Sequence, residues 1–320
     1  MPVLNSEYSP PLFFRNGHFS TIYAGLIRKV NHNYQERERL VLSDGDFLDL
    51  DWSYSKSISN RLVVLLHGLE GDAHRHYIKG SSKLFNSNGF DTCAVNYRGC
   101  SGEPNQLYRS YHSGATEDLV EVIQHVLKHK NYSSIYLKGF SLGGNLLLKY
   151  LGERTEVPKA IKAAVAVSVP CNLHSSCEQL LSSNNFLYAS RFKKNLIEKL
   201  RQKQKNFPEL ISDSDINSII TLKDFDDVYT SKAHHFKDAL DYYTQCSSLQ
   251  FLPSVRIPSL IINAKNDSFL GESCYPYEEA NTNPKLFLEV PKYGGHVGFW
   301  GKNNITYTEN RALEFFMAKL

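Results

Sequence analysis

From residue 61 onward, short apolar runs alternate with segments of helical period. Residues 61–66 (RLVVLL), 91–96 (DTCAVN) and 134–140 (SIYLKGF) form such runs, and 160–169 (AIKAAVAVSV), 259–263 (SLIIN) and 286–290 (LFLEV) continue the series. Runs this short and this continuous predict strands covered on both faces, the way a parallel sheet is buried. Between them, Leu119, Val122, Ile123, Val126 and Leu127 fall at i, i+3, i+4, i+7 and i+8, one stripe of a surface helix. Residues 143–152 and 306–320 also read as helical, the second closing the chain. Strand–helix alternation predicts βαβ units in a mostly parallel, doubly wound α/β sheet.

Two stretches break this rhythm. Leu40 and Leu42, then Phe47, Leu48, Leu50 and Trp52, flank Asp44-Gly45. That pattern predicts an antiparallel hairpin with a two-residue turn, extending the sheet at its N-terminal edge. Residues 171–250 carry no strand pattern at all. A basic helix-like stretch (Arg191, Lys193, Lys194, Lys199, Arg201, Lys203, Lys205) is followed there by an acidic one (Asp213, Asp215, Asp224, Asp226, Asp227). Inserted between two sheet strands, this segment reads as a helical cap with its charges on solvated faces. Residues 1–320 are therefore expected to form a single α/β domain with the cap at about 171–250.

Composition removes other classes. Lys plus Arg (36) nearly balances Asp plus Glu (33), for a formal net charge of +3, so no nucleic-acid partner is expected. Cys93, Cys100, Cys171, Cys177, Cys246 and Cys274 lie far apart, without C-x-x-C or zinc spacing. That usage suits a reducing compartment, and a cytoplasmic location is expected. The opening MPVLNSEYSPPLFF has no basic region followed by an apolar stretch, so no signal peptide is expected. No apolar run is long enough to predict an integral membrane span. His74-Arg75-His76 and His234-His235 lack the carboxylate or histidine spacing of a metal site, and neither a metal nor a cofactor is expected.

The candidate chemistry begins at Gly139-Phe140-Ser141-Leu142-Gly143, a G-x-S-x-G. A chain of this composition yields about 0.1 such patterns by chance, so the bare pattern is weak. Its place is what gives it force, at the end of a predicted strand and the start of a predicted helix. There a serine is held in a strained, exposed turn, and the helix N-terminus offers N–H groups to a developing oxyanion. Such a serine needs a base, and the base an orienting acid. Asp267 follows the strand at 259–263 and His296 the strand at 286–290, in the order serine, acid, histidine. Glu272 is the fallback acid. The backbone N–H groups of Leu69 and Leu142 are the expected oxyanion donors, with His67 holding the Leu69 loop by hydrogen bonds.

HGLEG (67–71), GFSLGGN (139–145), ND (266–267) and GGH (294–296) together resemble the α/β-hydrolase superfamily. NYRGCSGEPN (96–105) and RSYHSG (109–114) are similar to the signature of its YheT-type branch, as is NGHFSTI (16–22) near the start. The resemblance implies the α/β-hydrolase fold and a carboxylic-ester hydrolase in which Ser141, Asp267 and His296 form the charge relay. Its implied substrate is a small-molecule or lipid-like ester. Transfer of the acyl group to an alcohol is the alternative, and a non-catalytic binding protein ranks last.

Several residues keep two readings. Arg109 and His112 could bind a polar substrate group, or could pin the loop before a helix capped by Ser113 or Thr116, with Glu117 and Asp118 in its first turn. Phe299 and Trp300, with Phe13, Phe14, Phe19 and Tyr23, suit an apolar acyl pocket or ordinary core packing. Residues 18–28 could touch a membrane surface, although their polar face is not strongly basic.

Overall fold

The computed structural model describes residues 3–319. Its strands are β1 (Val3–Leu4), β2 (Glu36–Val41), β3 (Phe47–Ser53), β4 (Arg61–Leu66), β5 (Asp91–Asn96), β6 (Ser134–Phe140), β7 (Ile161–Val167), β8 (Ser259–Ile262) and β9 (Leu286–Glu289). They form one sheet in the order β1-β9-β8-β7-β6-β4-β5-β3-β2. Only the β2–β3 and β3–β5 pairings are antiparallel. All six predicted buried runs are strands. The last three are one to three residues shorter than predicted, and beside their carboxyl ends the Asn263 side chain bonds both the N–H and the carbonyl of Val169.

Around the sheet lie α1 (Gly17–Ile22), α2 (His76–Ser87), α3 (Thr116–His129), α4 (Leu142–Glu153), α11 (Tyr277–Thr282) and α12 (Tyr307–Met317). Helices α5 (Leu173–Leu181), α6 (Phe186–Asn206), α7 (Asp213–Asn217), α8 (Leu222–Phe225), α9 (Ser231–Ala233) and α10 (Ala239–Cys246) all fall between β7 and β8. Strand alternation divides the core. Leu62, Val64 and Leu66 pack with α3 and α4 on one face, and Val63 and Leu65 pack with α2 and α12 on the other. The fold is the expected doubly wound α/β-hydrolase architecture. No described helix is long and apolar enough to cross a membrane.

The local departures have physical causes. The hairpin closes through Leu42 N–H to the Asp46 carbonyl (2.8 Å), leaving Ser43, Asp44 and Gly45 in the turn, one residue more than predicted. Gly45 takes the left-handed position (φ +84°), and Asp46 turns inward as a buried acceptor. The predicted cap of α3 is absent. Ala115 holds that position without a side-chain bond, while the Thr116 hydroxyl turns to Glu153. Leu127 is exposed at the edge of the stripe. Helix α12 has a capping box between Thr306 and Glu309, and the predicted end at Leu320 lies outside the described residues. The sequence pattern did not suggest β1, which pairs parallel to β9.

The charges of 171–250 are not all solvated. Lys203 is buried, its ammonium on Asn105 Oδ1 (2.8 Å) and the Leu107 carbonyl (2.5 Å). Asp226 accepts from Tyr243 and Thr230, both at 2.7 Å, and burial pushes its carboxyl up to about 6. The long 96–105 motif is likewise internal. Arg98 pairs with Asp118 (2.7 Å), Asp44 (2.8 Å) and Asp46 (3.2 Å), tying the loop after β5 to the hairpin and to α3.

Candidate active site

Strand β6 runs straight into α4, and Ser141 stands at the turn with φ 51° and ψ −120°. A non-glycine residue in such a region costs about 1–3 kcal/mol, supplied by the surrounding packing. That packing leaves no room for a side chain at position 143. A Cβ there would lie 2.5 Å from the His67 carbonyl and 2.7 Å from that of Leu66. The close approach brings the end of β4 against the start of α4. It also sets Gly68 beside the Ser141 side chain, with 3.2 Å between the Cβ position of one and the Cβ of the other.

Ser141 Oγ lies 2.9 Å from His296 Nε2, and His296 Nδ1 lies 2.9 Å from Asp267 Oδ2. Asp267 is buried, and its second oxygen accepts the Phe269 N–H at 3.0 Å. The Phe269 ring stacks on the imidazole (4.3 Å between centroids). Glu272, the fallback acid, is exposed in a short 3₁₀ turn with no bond to His296. The histidine loop is held by residues outside the predicted set. Thr21 Oγ1 accepts the His296 N–H (2.8 Å), Ser168 Oγ accepts that of Val297 (2.9 Å), and Asn266 Oδ1 that of Gly295 (3.0 Å). Thr21 lies inside the NGHFSTI motif, a signal that pointed to it without assigning a task. Ser168, at φ 53°, had no such signal.

Leu142 is the first residue of α4, so its N–H has no carbonyl one turn earlier to accept it. The Leu69 N–H donates to no group among the described residues, while its neighbours are occupied. Gly68 N–H donates to Tyr77 (3.2 Å) and Glu70 N–H to Tyr111 (2.8 Å). His67 is fully buried, bonded to the Gly68 carbonyl (2.7 Å), and burial pushes its imidazole down to about 4. His67 holds its own loop, bonding the Gly68 carbonyl and the Tyr97 N–H, with no hydrogen bond to Ser141, Asp267 or His296. Beyond it, Glu70 takes φ 52° and receives the Lys199 ammonium from α6 at 2.9 Å.

Above Ser141 lies a cavity of about 680 Å³ whose lining includes Leu69, Leu142, Leu173, Phe192, Phe269 and Val297. His112 lines it too, but Arg109 and Phe299 do not. Arg109 is drawn away by Glu117 and borders a separate small cleft with His112 and His234. Phe299 is wholly buried, packed against Gly294 in the core. Neither meets the substrate-binding expectation. Among the described residues no cluster of three or more His, Cys, Asp or Glu side chains could hold a metal ion.

A family model described as the alpha/beta hydrolase fold matches residues 61–214. YheT of Escherichia coli (strain K12) is 34% identical over 305 residues, covering 93% of this chain and 88% of its own. The Homo sapiens phospholipase ABHD3 is 30% identical over 332 residues, covering 99% and 80%. Among solved structures, the Pyrococcus furiosus esterase Pf2001 superposes with a TM-score of 0.61 at 17% identity, over 91% of this chain and 96% of its own. The chain belongs to the α/β-hydrolase superfamily, in the branch that holds YheT. It is a carboxylic-ester hydrolase.

Proposed function

We propose that ester cleavage runs through a Ser141–His296–Asp267 triad and an acyl-enzyme. The observation that carries this reading is the pair of 2.9 Å contacts linking Ser141 Oγ, His296 and Asp267. Ser141 Oγ attacks the ester carbonyl carbon while its proton passes to His296 Nε2. Asp267 accepts the Nδ1–H, fixing the tautomer and stabilising the imidazolium. The oxyanion receives the N–H groups of Leu69 and Leu142. Collapse of the intermediate breaks the carbonyl–alkoxy bond, and the leaving alcohol takes the proton from Nε2. Water then gives a proton to His296, attacks the acyl carbon and releases the carboxylic acid and free Ser141.

Helices α5–α10 act as the cap that shapes the acyl pocket. The apolar lining and the size of the cavity suit a lipid-like acyl chain, and the phospholipase relative supports the same substrate class. A rate profile over p-nitrophenyl esters of increasing acyl length tests this, with kcat/KM expected to rise with chain length. Ser141→Ala is expected to abolish turnover of every ester in the series with the fold intact. Unchanged turnover in that variant overturns the triad.

A further inference from the structure

The apolar residues left on the surface are not scattered evenly. Leu12, Phe13, Phe19, Ile22, Leu26 and Ile27 are all exposed, and all fall within one short N-terminal segment. Local packing explains why they face out. Phe14 turns inward against Phe19, Tyr23 and Trp300. Its anchorage leaves Leu12 at 76% and Phe13 at 80% exposure in the 3₁₀ turn beside it. A second exposed pair, Phe186 (67%) and Leu187 (79%), opens α6. The two segments meet where His18 Nδ1 lies 3.3 Å from the Tyr188 hydroxyl, their rings stacked.

This face adjoins the cavity over Ser141. Ile22, Leu26 and Arg191 line the cavity and are also exposed, so they stand at its rim. Within the two segments themselves the charge has one sign. No Asp or Glu occurs between Glu7 and Glu36, nor between Glu178 and Glu198. Arg15, Lys29 and Arg191 are exposed there, and none meets a carboxylate among the described residues. Arg28 is not part of this surface, since it is buried on Glu309 at 2.8 Å. Exposed apolar residues on two adjoining segments, accompanied by cations without carboxylate partners and set beside the mouth of the cavity, match an anionic phospholipid surface. Acyl chains accept the apolar residues and headgroup phosphates the cations.

We propose that residues 12–29 and the start of α6 dock the protein on an anionic phospholipid surface, so that the cavity draws its ester substrate from the lipid. The proposal rests on the ester-hydrolase reading of the same cavity. Docking orients the rim toward the leaflet, so that an acyl chain passes from lipid to cavity without exposing its methylenes to water.

The test separates docking from catalysis by measuring vesicle binding in the full chain carrying Ser141→Ala. Co-sedimentation is compared with phosphatidylcholine vesicles and with vesicles of equal phosphatidylcholine and phosphatidylglycerol. Binding is expected on the mixed vesicles, weakened by high salt, and lowered at least about tenfold by adding Phe13→Glu with Leu187→Glu. Those two substitutions in the chain that keeps Ser141 are expected to leave turnover of soluble p-nitrophenyl butyrate unchanged, since neither residue lines the cavity. Absence of binding to the mixed vesicles overturns the proposal, as does binding that the double substitution leaves intact. A dimer in sedimentation velocity that Phe13→Glu with Leu187→Glu dissolves, without vesicle binding, assigns the face to a second copy and also overturns it. Failure of the triad shows instead as persistent soluble-ester turnover in the Ser141→Ala chain.

Discussion

On one side of the cavity, Ser141, Asp267 and His296 leave the carboxyl ends of β6, β8 and β9. On the other, α6 sends Lys199 to Glu70 across 129 residues of chain. The first wall is made by sheet order. Parallel strands with short loops place their C-terminal ends side by side, and the three groups meet because the topology brings them together. The second wall is made by side chains that must each find a distant partner. Glu70 is the hinge between them, next to the proposed donor Leu69 and bonded to both Tyr111 and Lys199. The difference predicts that changes to the first wall remove chemistry at little cost to the fold, and that changes to the second shift binding and stability with the chemistry intact.

The sharpest break is Ser141→Ala, expected to lower kcat by about 10⁴-fold or more in steady-state ester hydrolysis while the urea midpoint stays within error. Asp267→Asn follows, with kcat lower by about 10³-fold and circular dichroism unchanged, because the amide keeps the shape but loses the anion that fixes the imidazole tautomer. Lys199→Met addresses the opposite wall. It leaves the Glu70 carboxylate with only Tyr111 and the loop, so KM rises severalfold, kcat stays nearly constant and stability falls by about 1 kcal/mol. A fall in kcat as large as that of Asp267→Asn would erase the distinction between the walls.

Much of the first wall was legible in the chain. Ser141 announced itself through the glycines at 139 and 143, whose spacing answers to one turn, and His296 through Gly294 and Gly295, both at positive φ. Strand positions were readable to within a residue or two because buried parallel strands are largely apolar. The contacts of Thr21 and Ser168 with the histidine loop were hidden, since a hydroxyl that accepts one distant N–H leaves no local pattern. The second wall was least legible. Lys203 and Asp226 looked like solvated charges because helical period says which face a residue occupies, never which remote group faces it. Arg109 and Phe299 misled for the same reason, each drawn off by a partner that the local sequence does not reveal.

Two smaller effects sharpen the picture within the sheet. Ser141→Gly is expected to be more stable than Ser141→Ala by about 1 kcal/mol, because glycine accepts φ 51° freely, as thermal unfolding of the two inactive variants would show. Lys138 lies fully buried on β6 between Ser81 (3.0 Å) and the Thr308 carbonyl (3.1 Å), and burial pushes its ammonium down to about 7. From there up to its ordinary value of about 10.4, the unfolded chain holds a proton that the folded chain has released. Stability contributed by this group therefore rises with pH across that window, and Lys138→Met is expected to flatten that part of the urea-midpoint profile.

The central claim is that Ser141 is the nucleophile, and covalent labelling tests it most directly. A fluorophosphonate probe, followed by peptide mass spectrometry, is expected to place one adduct on the peptide containing Ser141. The adduct should be lost in Ser141→Ala and formed far more slowly in His296→Ala. An adduct on another residue, or none in a folded chain that still hydrolyses esters, would contradict the account.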